Sequence, residues 1–261
     1  MYPYLFHVHS LPSYIVLICI GILAALILYR ILAFKIGTSE QSFRFYGVIF
    51  IVSIGLGFVF ARLFQMLYNY IETGKVGTGI TFLGGLVGGV ATFFLLVILL
   101  GKKYRSELFK TVNIAMPCIA LGHCFGRIGC FLAGCCYGAE TDSFLGVKFV
   151  NYVTSAGEWV YYDTPRMPTQ LIEAIFLALL CVALILFIFK FNKLDFLAVV
   201  YLYSYSVFRF LIEFVRDDPR GAFVLGLSPS QIICLIMFIS AIALNVLLIR
   251  RKKAQPTDVT D

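Results

Sequence analysis

Stretches at positions 13–34, 45–70, 77–101, 112–136, 168–189, 194–215 and 228–249 run with hardly a charge. At 1.5 Å of rise per residue, a helix of about 20 such residues crosses the roughly 30 Å hydrocarbon core of a bilayer. With 61% of 261 residues hydrophobic and 13% charged, this much apolar surface cannot hide in one water-soluble core. The pattern predicts an all-α integral membrane protein with seven transmembrane helices and argues against a greasy soluble helical domain. The first run lacks a basic leading region and a small-residue cleavage site, so it is expected to stay as a span. Residues 1–12, with His7 and His9, read as an interfacial lead-in.

The net charge of +7 invites an acidic partner such as a nucleic acid. The basic residues, however, sit in short clusters between apolar runs, which is how topology signals are distributed, and no nucleic-acid partner is expected. With the N-terminus outside, the inner links and tail hold thirteen: Arg30, Lys35, Arg44, Lys102, Lys103, Arg105, Lys110, Lys190, Lys193 and the cluster at 250–253. The outer side then holds four, Lys75, Lys148, Arg166 and Arg220. Positive charge gathers inside, so the 250–261 tail is expected in the cytoplasm. One integrated membrane domain is expected over 1–261. The polar, aromatic stretch 139–167 forms a small outer head between the fourth and fifth spans, with strand-like pieces at 147–150 and 158–162 around Ser155-Ala156-Gly157.

The fourth run closes on Gly122-His123-Cys124-Phe125-Gly126-Arg127-Ile128-Gly129-Cys130-Phe131-Leu132-Ala133-Gly134-Cys135-Cys136-Tyr137-Gly138. Ionisable groups at membrane depth are costly and usually have a task. At helical spacing His123, Arg127, Cys130 and Gly134 share a face, and Gly122, Gly126 and Gly129 form a neighbouring strip where another backbone can come close. Arg62, Arg127 and Arg209 all lie within spans, and Arg216 ends one. Each is either snorkelling, paired with a carboxylate, or placed for function; Arg216 has Glu213, Asp217 and Asp218 beside it. Arg127 and Arg209 stand more than a helical turn from a carboxylate in their own spans, and two opposed guanidiniums make a clamp for a phosphate. In a membrane that phosphate is a phospholipid headgroup. Tyr201, Tyr205 and Glu213 border the Arg209 stripe as supporting groups. Gly84 and Gly85 serve either close helix packing or phosphate binding through backbone N–H groups, whereas Gly88 and Gly89 suit packing.

Three blocks, Gly126-Arg127-Ile128-Gly129-Cys130-Phe131, Pro168-Thr169-Gln170-Leu171 followed by Glu173, and Phe208-Arg209-Phe210-Leu211-Ile212-Glu213-Phe214-Val215-Arg216, resemble in order and spacing the prolipoprotein diacylglyceryl transferases of bacterial plasma membranes. The likeness extends to Ala61-Arg62, Phe82-Leu83-Gly84-Gly85-Leu86, and Ser228 with Gln231. It implies an enzyme that moves the diacylglyceryl group of phosphatidylglycerol to the lipobox cysteine thiol of a prolipoprotein, forming a thioether and releasing glycerol phosphate. It also implies that Arg127 and Arg209 hold the lipid head and stabilise the departing phosphate. Arg62, Gln170, Glu173, Glu213 and Arg216 are expected to order the seam as substrate-binding residues, and no cofactor is expected.

The chain departs from the family pattern at three places. Leu83 stands where the family has a histidine before the paired glycines, Cys130 where it has asparagine, and Cys135 where it has an acidic residue. Leucine accepts no proton, so His123, one turn before Arg127, becomes the expected base. Most of the eight cysteines lie in apolar runs and read as free thiols, with Cys135 and Cys136 at the outer interface. Cys130 is either inert or a reactive thiol activated by Arg127 and His123. The Cys135-Cys136 doublet lacks C-x-x-C spacing and Cys124 points off the Cys130 face, so no metal is expected. The rival readings are a diverged transferase with another acceptor, favoured by Leu83, and a non-catalytic lipid-binding or thiol-redox membrane protein, favoured by the cysteine doublet.

Overall fold

The computed structural model describes residues 12–77, 79, 81–153, 159–191, 194–217 and 226–254. His7, His9, the Ser155-Ala156-Gly157 turn, Glu158, Lys193, Asp218, Arg220 and residues 255–261 lie outside the described residues. Among the described residues there are seven α-helices: α1 (Ser13–Lys35), α2 (Glu40–Thr73), α3 (Phe82–Leu100), α4 (Leu108–Ala133), α5 (Thr169–Phe189), α6 (Leu197–Ile212) and α7 (Pro229–Ala254). Six are long and apolar enough to cross a membrane, α6 doing so with its flanking 3-10 turns, and α3 is shorter. The chain is a multi-pass membrane protein. Helix α5 shows why: its buried face carries Gln170, Glu173, Leu177, Cys181 and Leu184, while Ile175 and Leu179 on the opposite face are more than 60% exposed. An outward face more apolar than the inward one belongs in lipid.

The described residues pack as two compact units, residues 30–111 in one and residues up to 29 with those from 112 onward in the other. In the first, Ser39 caps α2 by accepting from the Ser42 N–H, and Gly74 ends that helix in the left-handed conformation at φ 69°. Helices α2 and α3 meet along glycines. A methyl group built at Gly57 would lie 3.1 Å from the Gly85 carbonyl oxygen, and one at Gly85 3.2 Å from the Gly57 oxygen, while Gly84 and Gly88 receive Phe64 and Phe60. The expected third span begins later than position 77, because Gly79 at φ 121° bends the chain and Thr81 donates its N–H to the Ala61 carbonyl before α3 starts. Tyr46, fully buried, donates to the Tyr104 carbonyl at 2.7 Å, and Lys110 donates to the carbonyls of Ile36 and Gly37.

In the second unit α1 lies against α4. Gly21 meets Phe125 and the Gly122 carbonyl, and Gly129 meets Leu17 and Tyr14. Two of the three glycines in the expected strip thus take a neighbouring helix, but Gly126 faces nothing within 4 Å. It sits a full turn from Gly122 and three residues from Gly129, on the edge of the strip rather than in it. Pro117 lies inside α4, where its missing N–H leaves the helix ladder one bond short. Asn113 accepts the Ala198 N–H at the start of α6, and Phe176 of α5 stacks on Phe208 of α6 at 3.9 Å between ring centres.

The polar stretch after α4 is bound to the helix ends rather than projecting alone. Gly138 donates its N–H to Met167 O, Met167 donates its N–H to Ala139 O, and Ala139 donates to Val215 O just beyond α6. A short antiparallel pair, β1 (Val150–Val153) and β2 (Trp159–Tyr161), stands over Phe149, which is fully buried against Phe131 and Tyr137. The first strand starts at Val150 and not at 147, because Val147 exchanges both backbone bonds with Arg166. The Arg166 side chain ties the stretch together, pairing with Glu140 and Asp217 and lying over the rings of Tyr137 and Tyr162.

Candidate functional site

Glu173 is one turn into α5, and its side chain has no exposed surface. A buried carboxylate needs compensating charge, and here it comes from three other elements. Arg127 of α4 places Nε 3.1 Å from Glu173 Oε1, Tyr205 of α6 donates its hydroxyl to the same oxygen at 3.1 Å, and His123 Nε2 is 3.7 Å away. Arg209 Nε lies 4.0 Å from Oε1, and Arg216 Nη1 3.9 Å from Oε2. His123 also packs edge-on to the Tyr205 ring. His123 and Arg127, one helical turn apart on α4, thus meet Glu173 together, and Arg209 reaches it from α6.

Arg209 has a second carboxylate. Its Nη1 donates to Glu213 Oε2 at 2.6 Å, one turn along the chain, and Nη2 donates to Ser230 Oγ. The expectation that Arg209 is too far from a carboxylate of its own span is corrected here. The i to i+4 distance brings the two side chains onto the same face, and the 3-10 turn at Glu213–Val215 closes it further. Glu213 is held in turn by Ser228, whose hydroxyl donates to Oε1 at 2.6 Å. Ser228 is also the N-cap of α7 in a reciprocal arrangement: the Gln231 side chain accepts the Ser228 N–H, and Ser228 Oγ accepts the Gln231 N–H. The sequence Ser228-Pro229-Ser230-Gln231 carries that cap in plain view, with proline at the first helical position. Its link to Glu213 does not show in the spacing.

Three guanidiniums thus share two carboxylates, leaving one net positive charge in a buried place. Arg127 Nε is itself buried and makes no hydrogen bond, since its N–H is not directed at the nearby Glu173 oxygen. The Arg127 and His123 side chains keep 14% and 18% of their surface open, against 7% for Arg209 and 2% for Arg216, so the cluster opens on the α4 side. An anion with several oxygens is what such a set can hold. Close to Arg209 along α6, an open apolar groove of about 220 Å³ runs between α6 and α7, lined by Val207, Phe210, Leu211, Cys234, Leu235 and Phe238.

The other expected site residues have contacts of their own. Gln170 is buried, and its amide donates to the Cys135 carbonyl while Thr169 donates to the Cys136 carbonyl, so the start of α5 anchors the turn after α4. Thr169 is missed by the sequence reading although its neighbour is not. Cys130, which the sequence leaves as either an inert or a reactive thiol, is buried and grouped with Cys135 and Cys136, the three sulfurs all within 4.8 Å of one another. All eight cysteines are free thiols. Arg62 donates to the Gly79 carbonyl at 2.9 Å within the α2 and α3 unit. Gly85 faces α2 with its N–H already given to the Thr81 carbonyl, which removes it as a donor to a phosphate, and Gly84 is packed against Phe64.

A family model described as prolipoprotein diacylglyceryl transferase matches residues 3–247. The phosphatidylglycerol-prolipoprotein diacylglyceryl transferase of Clostridium tetani is 34% identical over 248 residues, covering 93% of this chain and 96% of that protein. Phosphatidylglycerol-prolipoprotein diacylglyceryl transferase 2 of Clostridium perfringens is 37% identical over 169 residues, 64% of this chain and 62% of its own length. A protein of the same name from Dehalococcoides mccartyi is 30% identical over 214 residues, 80% of this chain and 78% of its own. Matched almost from end to end, and with its arginines gathered on the buried glutamate of α5, the chain belongs to the prolipoprotein diacylglyceryl transferase family.

Proposed function

We propose that this protein transfers the diacylglyceryl group of phosphatidylglycerol to the lipobox cysteine of a prolipoprotein. The acceptor sulfur attacks the glyceryl carbon that carries the phosphate, a C–S bond forms, the C–O bond breaks, and glycerol phosphate leaves with an added negative charge. The observation that carries this reading is the imbalance of three guanidiniums over two carboxylates, buried at the edge of an apolar bundle. Fixed positive charge in a site poor in water favours the state in which negative charge has grown on the leaving phosphate. Arg127 and Arg209 bind that phosphate; Glu173, Glu213, Arg216 and Tyr205 hold them in place. His123, the open titratable group beside Arg127, takes the proton of the acceptor thiol. The groove between α6 and α7 suits an acyl chain.

The protein sits in the bacterial plasma membrane with α3 as a seventh crossing, the N-terminus and the 139–167 stretch outside and the C-terminal tail in the cytoplasm, following the distribution of basic residues. The test is incubation of the purified protein with labelled phosphatidylglycerol and a lipobox peptide. Mass spectrometry of the peptide is expected to find the diacylglyceryl thioether on its cysteine. An unmodified peptide in the presence of intact, lipid-bound protein would overturn the assignment.

A further inference from the structure

We propose that Cys130, Cys135 and Cys136 form a metal site for a thiophilic d10 cation of the zinc class. The three Sγ atoms lie within 4.8 Å of one another. Zinc–sulfur bonds of about 2.3 Å set neighbouring thiolates about 3.8–4.0 Å apart in tetrahedral or trigonal geometry, so the group closes on an ion by moving less than about 1 Å. The donors are all sulfur, the set that selects soft and borderline cations over hard ones.

Adjacency in sequence does not produce this cluster; the end of α4 does. Gly134, at φ 73°, terminates the helix, the Gly134 N–H bonds back to Phe131 O, and the Cys135 N–H bonds to Cys130 O at 3.1 Å. That pair of bonds is the glycine-ended helix cap in which the chain folds back over the last turn, and it lays Cys135 over Cys130. Cys136 then takes φ 67°, and it is the one non-glycine residue with a positive φ among the described residues. A left-handed conformation costs a side-chain-bearing residue about 1–2 kcal/mol and persists where the surroundings enforce it. The enforcement here is visible: Thr169 Oγ1 donates to the Cys136 carbonyl at 2.9 Å, and the Gln170 amide donates to the Cys135 carbonyl. Both carbonyls flanking the strained residue are fixed by the buried start of α5, and the result is a third sulfur turned into the group. Cys130 is buried, Cys136 half-buried and Cys135 exposed, so the group has a closed floor and an open side through which an ion and a fourth, exogenous ligand enter.

The test uses the reduced, chelator-stripped full-length chain, titrated with Zn²⁺ and read by bound metal per protein, with Co²⁺ as a spectroscopic substitute. Wild-type protein is expected to retain about one ion per chain, and Co²⁺ to give the intense near-ultraviolet absorption of thiolate coordination. Cys135→Ser and Cys136→Ser are expected to weaken binding by more than about tenfold, the cost of even an outer hydrogen bond to a metal ligand. Cys19→Ser and Cys234→Ser, outside the group, are expected to bind as wild type does. Because the readout is metal content, it stands apart from catalytic turnover. Absence of bound zinc while thiol titration shows the three cysteines reduced, or equal binding by wild type and the Cys135 and Cys136 variants, overturns the proposal.

Discussion

In the α2 and α3 unit three polar side chains are spent on backbone, beside side-chain pairs such as Arg30 with Glu40 and Gln65 with Asn69. Arg62 donates to the Gly79 carbonyl, Tyr46 to that of Tyr104 and Lys110 to those of Ile36 and Gly37, each within or beside the ends of helices joined by glycine packing. Around Glu173 the side chains are spent on one another: Arg127, Arg209, Arg216, His123 and Tyr205 converge on its carboxylate, and Arg209 bridges to Glu213. Arg62 and Arg127 look alike in the sequence, a lone arginine in an apolar run. One finds a carbonyl in a chain bend, the other shares a carboxylate with two more guanidiniums. A single hydrogen bond to a carbonyl adds modestly to stability, whereas an interlocked set of buried charges is costly to leave incomplete and poised to accept one more anion.

The difference can be broken most severely at Glu173. In Glu173→Gln the three arginines lose their common counter-charge, and a loss of about 3–5 kcal/mol is expected, the range for removing one partner of a buried ion pair. Thermal unfolding in detergent would show it, and a melting curve that matched wild type would mean that the guanidiniums are compensated from elsewhere. In the other unit the equivalent weak point is steric. Gly88→Leu puts a side chain where Phe60 already lies and is expected to cost about 1–3 kcal/mol, as overpacking does, in the same unfolding measurement. Gly126→Ala, with nothing within 4 Å of the new methyl group, is expected to change stability by no more than about 1 kcal/mol.

Ser228→Ala removes the α7 cap and the hydroxyl that holds Glu213. About 1–2 kcal/mol is expected from the lost cap, together with a fall in transfer rate as Glu213 loosens its hold on Arg209. Unchanged kinetics alongside lower stability would confine Ser228 to capping. Arg62→Ala sharpens the contrast from the other side. Losing its one bond to Gly79 O is expected to cost about 0.5–1.5 kcal/mol, with a smaller drop in transfer than any change at Arg127.

Much of this was legible before any coordinates. Helix-length apolar runs fix α1, α2 and α4 to α7 because the bilayer sets their length, and the 3.6-residue repeat puts His123 and Arg127 on one face. The arginines were conspicuous because charge in an apolar run has few explanations. What the chain hides is what depends on backbone reversal. The glycine cap that lays Cys135 over Cys130, the late start of α3 behind Gly79, and the Val147 bridge to Arg166 follow from φ angles and long-range hydrogen bonds that no periodicity encodes. Spacing also misjudged Arg209 and Glu213, since four residues along a helix amounts to contact for side chains as long as these.

Arg127 is the point where stability and transfer should separate, because it faces the opening of the cluster while Glu173, Arg209 and Arg216 are nearly sealed. The decisive measurement is the initial rate of diacylglyceryl transfer from labelled phosphatidylglycerol to a lipobox peptide by purified Arg127→Ala, with its melting curve recorded beside the wild type. The rate is expected to fall by about 10²–10³-fold or more, the cost of losing one preorganised donor to a developing anion, while the protein remains folded. A folded Arg127→Ala protein that transfers at the wild-type rate would contradict the claim that these guanidiniums hold the departing phosphate.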